Sequence, residues 1–317
     1  MAIPLIRASI SRSQSLSLPS SFSSIDESSL RRKRLLSCVP SEVNPVRSEV
    51  SLTVGTHLIP HPNKVDKGGE DAFFVSNYNG GVIAVADGVS GWAEQNVDPS
   101  LFPQELMANA SFMVGDDELT HQGMLTTEQV NNDPQILLRK AHAATSSTGS
   151  ATVIVAMLER NGILKIANVG DCGVKVIREG QIFFSTSPQE HYFDCPYQLS
   201  SEVVGQTYLD AMVSSVELME GDTMVMGSDG LFDNVFDHEI LSTIARHRDV
   251  AGAAKALANL ASSHSMDANF DSPYSLEARS KCGIDASIVK RLAVIDVKKP
   301  HPLPLSSISL KKQLEKS

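Results

Sequence analysis

Two short apolar runs that each end in Asp-Gly constrain this chain most: Val82-Ile83-Ala84-Val85-Ala86-Asp87-Gly88 and Thr223-Met224-Val225-Met226-Gly227-Ser228-Asp229-Gly230. Each sets a carboxylate where a buried strand emerges. One such corner is ordinary, because Asp-Gly is a common turn dipeptide. A third corner, Asn168-Val169-Gly170-Asp171, follows the strand-like run Ile163 to Ala167 between the other two. Carboxylates delivered from several strand ends to one point bind a hard divalent cation such as Mg²⁺ or Mn²⁺.

Composition excludes several alternatives. The longest apolar stretch, Val153 to Leu158, is far shorter than the roughly 20 residues of a membrane-spanning helix. Cys38, Cys172, Cys195 and Cys282 show no C-x-x-C spacing, so neither a zinc site nor a disulfide framework is indicated. The formal charge of -10 is unevenly spread: residues 1–40 carry a net of +4, which leaves the remainder at -14. So acidic a body is a poor partner for nucleic acid, whose phosphates must be neutralised by Lys and Arg. A phosphate-bearing substrate would need bound metal to supply positive charge.

The chain divides into three stretches. Residues 1–40 hold twelve serines and six basic residues, have no secretory apolar block, and read as an organellar transit peptide, with serine dominance favouring the plastid. From about Ser51, strand-like runs alternate with helical ones: Ser51–Val54, Ala72–Val75, Gly81–Ala86, Ser150–Met157, Ile163–Val169, Gly173–Ile177, Gln181–Ser185, Val213–Glu217 and Thr223–Gly227. Asn161-Gly162 and Glu179-Gly180 are hairpin turns by sequence. Helices are expected over Pro103–Val114, Asp133–Ser147, Asp237–Arg246 and Val250–Ser263, the second opened by an Asp133 cap and Pro134. Hairpin-paired strands with helices in the longer connections predict an α+β sandwich over residues 51–297. Arg291–Val297 reads as one more strand, and residues 298–317, basic and proline-rich, as a disordered tail.

Glu70-Asp71 follows Lys67-Gly68-Gly69, whose glycines allow a close backbone approach. In order come Asp87-Gly88-Val89-Ser90-Gly91-Trp92, Thr148-Gly149-Ser150-Ala151-Thr152, Val169-Gly170-Asp171-Cys172-Gly173 and Gly227-Ser228-Asp229-Gly230-Leu231-Phe232-Asp233. These blocks resemble the type-2C family of metal-dependent serine/threonine protein phosphatases, from about Ser51 to Asp237. Pro188-Gln189-Glu190-His191-Tyr192-Phe193, Pro196-Tyr197-Gln198-Leu199 and the leader resemble its plant chloroplast branch.

The resemblance implies a four-layer αββα sandwich of two antiparallel sheets flanked by helices. It also implies hydrolysis of phosphoserine or phosphothreonine by water activated between two Mn²⁺ or Mg²⁺ ions, with a third, weaker ion. Asp87 would bridge the two ions, Gly88 would give its carbonyl oxygen to one, Asp229 would ligate the other, Glu70 would hold metal-bound water, and Asp171 would help the third. Lys64 and Lys67 are candidate phosphate binders, as point charges. The implied partners are phosphorylated proteins of the chloroplast, such as photosystem II core proteins, met at the stroma or the stromal face of the thylakoid by peripheral association. Oligomeric state is not indicated.

Two departures from the family pattern bear on activity. Val89 stands where many members carry a histidine usable as a general acid. The family pattern also ends with an aspartate just before a final core strand, and here only Asp285 stands near a late apolar run. Two readings therefore stay open: a working phosphatase, or a catalytically weak or inactive phosphatase-like binding or regulatory protein that lacks the terminal metal aspartate and the usual C-terminal strand. A cysteine protease built on Gly170-Asp171-Cys172-Gly173 would need a histidine partner, for which His121 or His142 are the nominees.

Overall fold

The computed structural model describes residues 5–14, 48–61, 64, 68–120, 132–202 and 205–282. Two antiparallel sheets carry the fold. The first runs β12(Met212–Glu217), β6(Ile163–Val169), β5(Ser150–Leu158), β4(Gly81–Gly88), β3(Asp71–Ser76), with the short β11(Leu199–Ser200) added to β5. The second runs β2(Ser48–His57), β1(Leu5–Gln14), β13(Thr223–Gly227), β7(Gly173–Arg178), β8(Gln181–Ser185). A two-stranded ribbon, β9(Glu190–Tyr192) with β10(Cys195–Pro196), projects between β8 and β11 in sequence.

Strand alternation distributes the apolar residues among the layers. Successive side chains of a strand point to opposite faces. Ile83, Val85, Ile154, Ala156, Val174, Val176, Met224 and Met226 accordingly form the core between the two sheets. Their neighbours Val82, Ala84, Val153, Val155 and Met157 turn outward and pack under α1(Leu101–Thr120) and α2(Pro134–Ala144). Val225 and Ile177, on the far side of the second sheet, pack under α3(Asp229–Phe232), α4(Asp237–Arg246) and α5(Val250–Met266). This is the four-layer αββα sandwich implied by the resemblance, with its core in three slabs instead of one. All nine residues of β5 are buried because both of its faces are covered.

Local signals explain most element ends. Asp133 accepts from the backbone N–H groups of Gln135 at 2.9 Å and Ile136 at 3.3 Å, and Pro134 occupies the first turn of α2, as its sequence predicts. Glu179 and Gly180 both take positive φ, 51° and 76°, the geometry of a tight two-residue hairpin between β7 and β8. Among the described residues no helix is long and apolar enough to cross a membrane.

Several elements were not expected from the sequence, among them the short strands β9, β10 and β11. The four-residue α3 begins at Asp229 itself, and α6(Pro273–Cys282) follows α5. Residues Leu5–Gln14, read from composition as part of a leader, form β1 between β2 and β13. The remainder of the 1–40 leader apart from β1, the Arg291–Val297 strand and the 298–317 tail lie outside the described residues.

Candidate metal centre

The acids meet at one end of the sandwich because strands from both sheets finish there. In the β3–β4 hairpin Asp71 is the direct register partner of Asp87, and Asp87 in turn lies opposite Thr152 of β5. From the second sheet β13 ends at Gly227, and Asp229 follows as the first residue of α3. Asp71 and Asp229 are buried, and Asp87 keeps part of its surface open to solvent. The Asp87 carboxyl lies close enough to those of Asp71 and Asp229 to feel the negative charge of both.

This crowding shows in the titration of Asp87. Its pKa is raised well above the ordinary carboxylate range, first by desolvation, then by the negative charges of Asp71 and Asp229. Among the described residues no group of three acid, histidine or cysteine side chains is spaced around a point ready for a metal ion. The three aspartates are instead crowded at one end of the sandwich, where their charges act on one another.

Two features nonetheless fit a divalent ion. The donor set is carboxylate oxygen, the preference of Mg²⁺ and Mn²⁺. The backbone at Gly88 is also packed so closely that a Cβ there would overlap the Pro99 carbonyl oxygen and lie 2.7 Å from that of Glu70. Gly88 is further pinned by its N–H, which donates to the Glu70 carbonyl at 3.1 Å.

The turn after Gly88 is held from below. Val89 N–H donates to the Ser150 carbonyl at 3.1 Å, the indole of Trp92 donates to Ser150 Oγ at 2.6 Å, and Ser150 Oγ donates to Gln198 Oε1 at 2.5 Å. These bonds fasten the Asp87-Gly88 corner to β5 and to the segment before β11.

The sequence expectation rested on Glu70 alone, and the structure adds Asp71 as the register partner of Asp87. The Glu70 side chain turns to Lys64 Nζ at 2.7 Å and Ser90 Oγ at 2.5 Å, and Lys64 also donates to Ser90 at 2.9 Å. It is Asp71 that lies opposite Asp87. The available signal was the alternation of a strand: of the neighbours Glu70 and Asp71, only the one registered opposite Asp87 shares its face. Lys67 and Asp285 lie outside the described residues.

Asp171 sits on the wall of a cavity of about 270 Å³ that also involves Lys175, Glu190, Phe193, Asp233 and Tyr274, and that none of Asp71, Asp87 and Asp229 lines. Gly170 aims it there: its φ is +102°, and a Cβ would lie 2.7 Å from Thr152 Cβ. Asp233 ends α3 and faces the same cavity.

Cys172 does not suit a nucleophile. It is buried, with Sγ 3.2 Å from Thr152 Oγ1, and its pKa is pushed well up by burial and by the charges of Asp87 and Asp171, whereas a reactive cysteine needs its thiolate favoured. His142 bonds the Ser200 carbonyl at 2.8 Å instead, and His121 lies outside the described residues.

Comparison with known proteins places these residues in context. The family description Protein phosphatase 2C matches residues 59–196, which include Glu70, Asp71, Asp87, Gly88 and Asp171. "Probable protein phosphatase 2C 26" of Arabidopsis thaliana is 64% identical over 258 residues, 81% of this chain and 83% of that protein. "Probable protein phosphatase 2C 1" of Oryza sativa subsp. japonica is 62% identical over 262 residues, 83% of this chain and 74% of that one. The X-ray structure of the photosystem II phosphatase PBCP matches at 66% sequence identity with a TM-score of 0.66, covering 71% of this chain and 85% of that chain.

Proposed function

The chain belongs to the protein phosphatase 2C family of metal-dependent serine/threonine phosphatases, and from that premise we propose that it dephosphorylates thylakoid phosphoproteins in the chloroplast. The observation that carries the chemistry is the convergence of Asp71, Asp87 and Asp229 from two sheets onto one point. The substrate class is supported by the likeness to the photosystem II phosphatase PBCP, and the compartment by that likeness and by the serine-rich, basic composition of residues 1–40.

In this reading Asp87 and Asp229 hold two Mn²⁺ or Mg²⁺ ions, with the Gly88 carbonyl as a further oxygen. Bound, such ions supply Lewis-acid charge that polarises a phosphoryl group and acidifies water. Asp71, set opposite Asp87 by the strand register, flanks it. Glu70, steadied by Lys64 and Ser90, holds water at the rim. Asp171 serves a third, weaker ion. Val89 has no proton to give, so the leaving alcohol takes its proton from water or from another group.

Lys64 also brings a positive charge to an otherwise acidic rim, suited to a phosphoryl oxygen as a point contact. Lys64→Met is expected to lower kcat/KM on a phosphothreonine peptide about tenfold, with Lys64→Arg recovering part of the loss. An unchanged kcat/KM in Lys64→Met removes Lys64 from substrate binding.

The direct test is hydrolysis of phosphothreonine peptides and of phosphorylated thylakoid membranes. Activity is expected with millimolar Mn²⁺ and is expected to vanish in chelator. Turnover that persists in chelator defeats the metal mechanism. A second reading, a phosphatase-like binding protein, is favoured by one observation of the sequence: where the family pattern has an aspartate just before a final core strand, only Asp285 stands near a late apolar run. Mn²⁺ binding by calorimetry without any turnover selects that reading.

A further inference from the structure

The second sheet is completed by a strand that the sequence assigns to a leader. β1 pairs antiparallel with β13 through Leu5↔Gly227, Ile6↔Met226, Arg7↔Val225, Ala8↔Met224 and Ser9↔Thr223. On its other edge it pairs with β2 along its whole length, from Leu5↔His57 to Gln14↔Ser48. β2 has no other strand beside it in the sheet order. Withdrawing β1 would leave β2 and β13 parallel to each other and about 9.5 Å apart, two strand spacings, which is room for one extended chain.

The segment is suited to that place in three ways. Ile6, Ala8 and Ile10 recur with the period of a strand. Register sets Ile6 and Ala8 opposite Met226 and Met224, both members of the core between the sheets. Direction also agrees. β13 runs toward the aspartate cluster and ends at Gly227, so β1, which starts opposite Gly227, leaves the cluster and runs away from it. That is the course expected of a final core strand that follows a metal aspartate. Leu5–Gln14 itself contains no acid, so the strand contributes backbone and no carboxylate.

We propose that the slot between β2 and β13 is a strand-accepting site, and that its occupant in this chain is its own Leu5–Gln14. The leader then has a structural task while it remains attached: it joins β2 to the sheet and braces β13, which carries Asp229 at its end. Removal of residues 1–40 would open both edges together, leaving unpaired backbone groups of the kind that recruit another strand.

Disulfide trapping in the full-length chain tests this without reference to phosphatase activity, so its failure leaves the proposed function standing. Ser9 is registered with Thr53, whereas Ser51 lies two residues off register. In a Cys38→Ser background, the pair Ser9→Cys with Thr53→Cys is expected to oxidise to an internal disulfide with at least about tenfold higher yield than Ser9→Cys with Ser51→Cys, because the diagonal separation exceeds disulfide reach. Equal yields overturn the proposal. A second measurement uses proline, which cannot donate to a ladder. Changing Arg7 and Ala8 together to proline should lower the melting temperature by at least about 4 °C relative to a Ser24→Pro control. Melting that matches the control also overturns it.

Discussion

In chelator, Asp87→Asn is expected to melt at a higher temperature than the parent chain at neutral pH, while its Mn²⁺-dependent turnover falls by at least about 100-fold. Three carboxyl groups share one partly desolvated end of the sandwich, and Asp87 feels the charge of both others. Without a cation their mutual repulsion opposes folding. The isosteric amide removes one charge and keeps a hydrogen-bonding group, so the metal-free fold gains about 2–4 °C for each kcal/mol relieved.

The pH dependence has a definite sign. The Asp87 pKa is higher in the folded chain than in the unfolded one. Between those two values the folded state holds more protons, so stability must fall as pH rises above about 4 and level off once the folded value has been passed. The parent in chelator should show this decline, and Asp87→Asn should lack that contribution to it. Saturating Mn²⁺ should reverse the order of melting temperatures, because an ion that binds only the folded parent stabilises only the parent. If Mn²⁺ raises the melting temperature of both proteins equally, Asp87 is not a ligand.

Gly88→Ala should be nearly as damaging, for a steric reason. The added Cβ would overlap the Pro99 carbonyl oxygen and crowd that of Glu70, both backbone atoms that no side-chain rotation can clear. Relief requires the end of β4 to move away from the segment before α1 or from Glu70. A cost of about 2–3 kcal/mol is expected, a fall of roughly 5–10 °C in melting temperature. The same displacement would break the Gly88 N–H bond to Glu70 and shift both acids of the 70–71 pair, so Mn²⁺ affinity should fall as well. Ser90→Ala, a deletion with no added bulk, separates the two effects: it removes a Glu70 partner and should leave stability within about 0.5 kcal/mol. Melting of Gly88→Ala within 1 °C of the parent would show that this corner has slack that its packing denies.

The strands were legible because their signal is local. Alternation and turn dipeptides locate β6, β8 and β13 at their observed limits, and Asp237–Arg246 is recovered as α4. Hairpin signals at Asn161-Gly162 and Glu179-Gly180 imply antiparallel pairing, which the structure bears out. The acid corners were legible for the same reason, since Asp87 and Asp229 each follow directly on an apolar run. Less was legible where a signal is weak or shared. α3 is four residues long and begins inside the Asp-Gly motif, so no helical period has space to develop. β1 has its apolar residues at the strand period, but they stand among serines and arginines that carry a stronger compositional message.

Sequence alone determined the longer strands and helices of the body, the four-layer architecture once the family resemblance is granted, and the corners from which carboxylates emerge. Each depends on residues close together along the chain. Tertiary structure decided which acids meet. Asp71 joins Asp87 because strand register sets them opposite each other, and Glu70, one residue away on the other face, is taken by Lys64 and Ser90. It also decided that Leu5–Gln14 enters the second sheet, since an open slot is a property of two strands distant in sequence and belongs to neither of them.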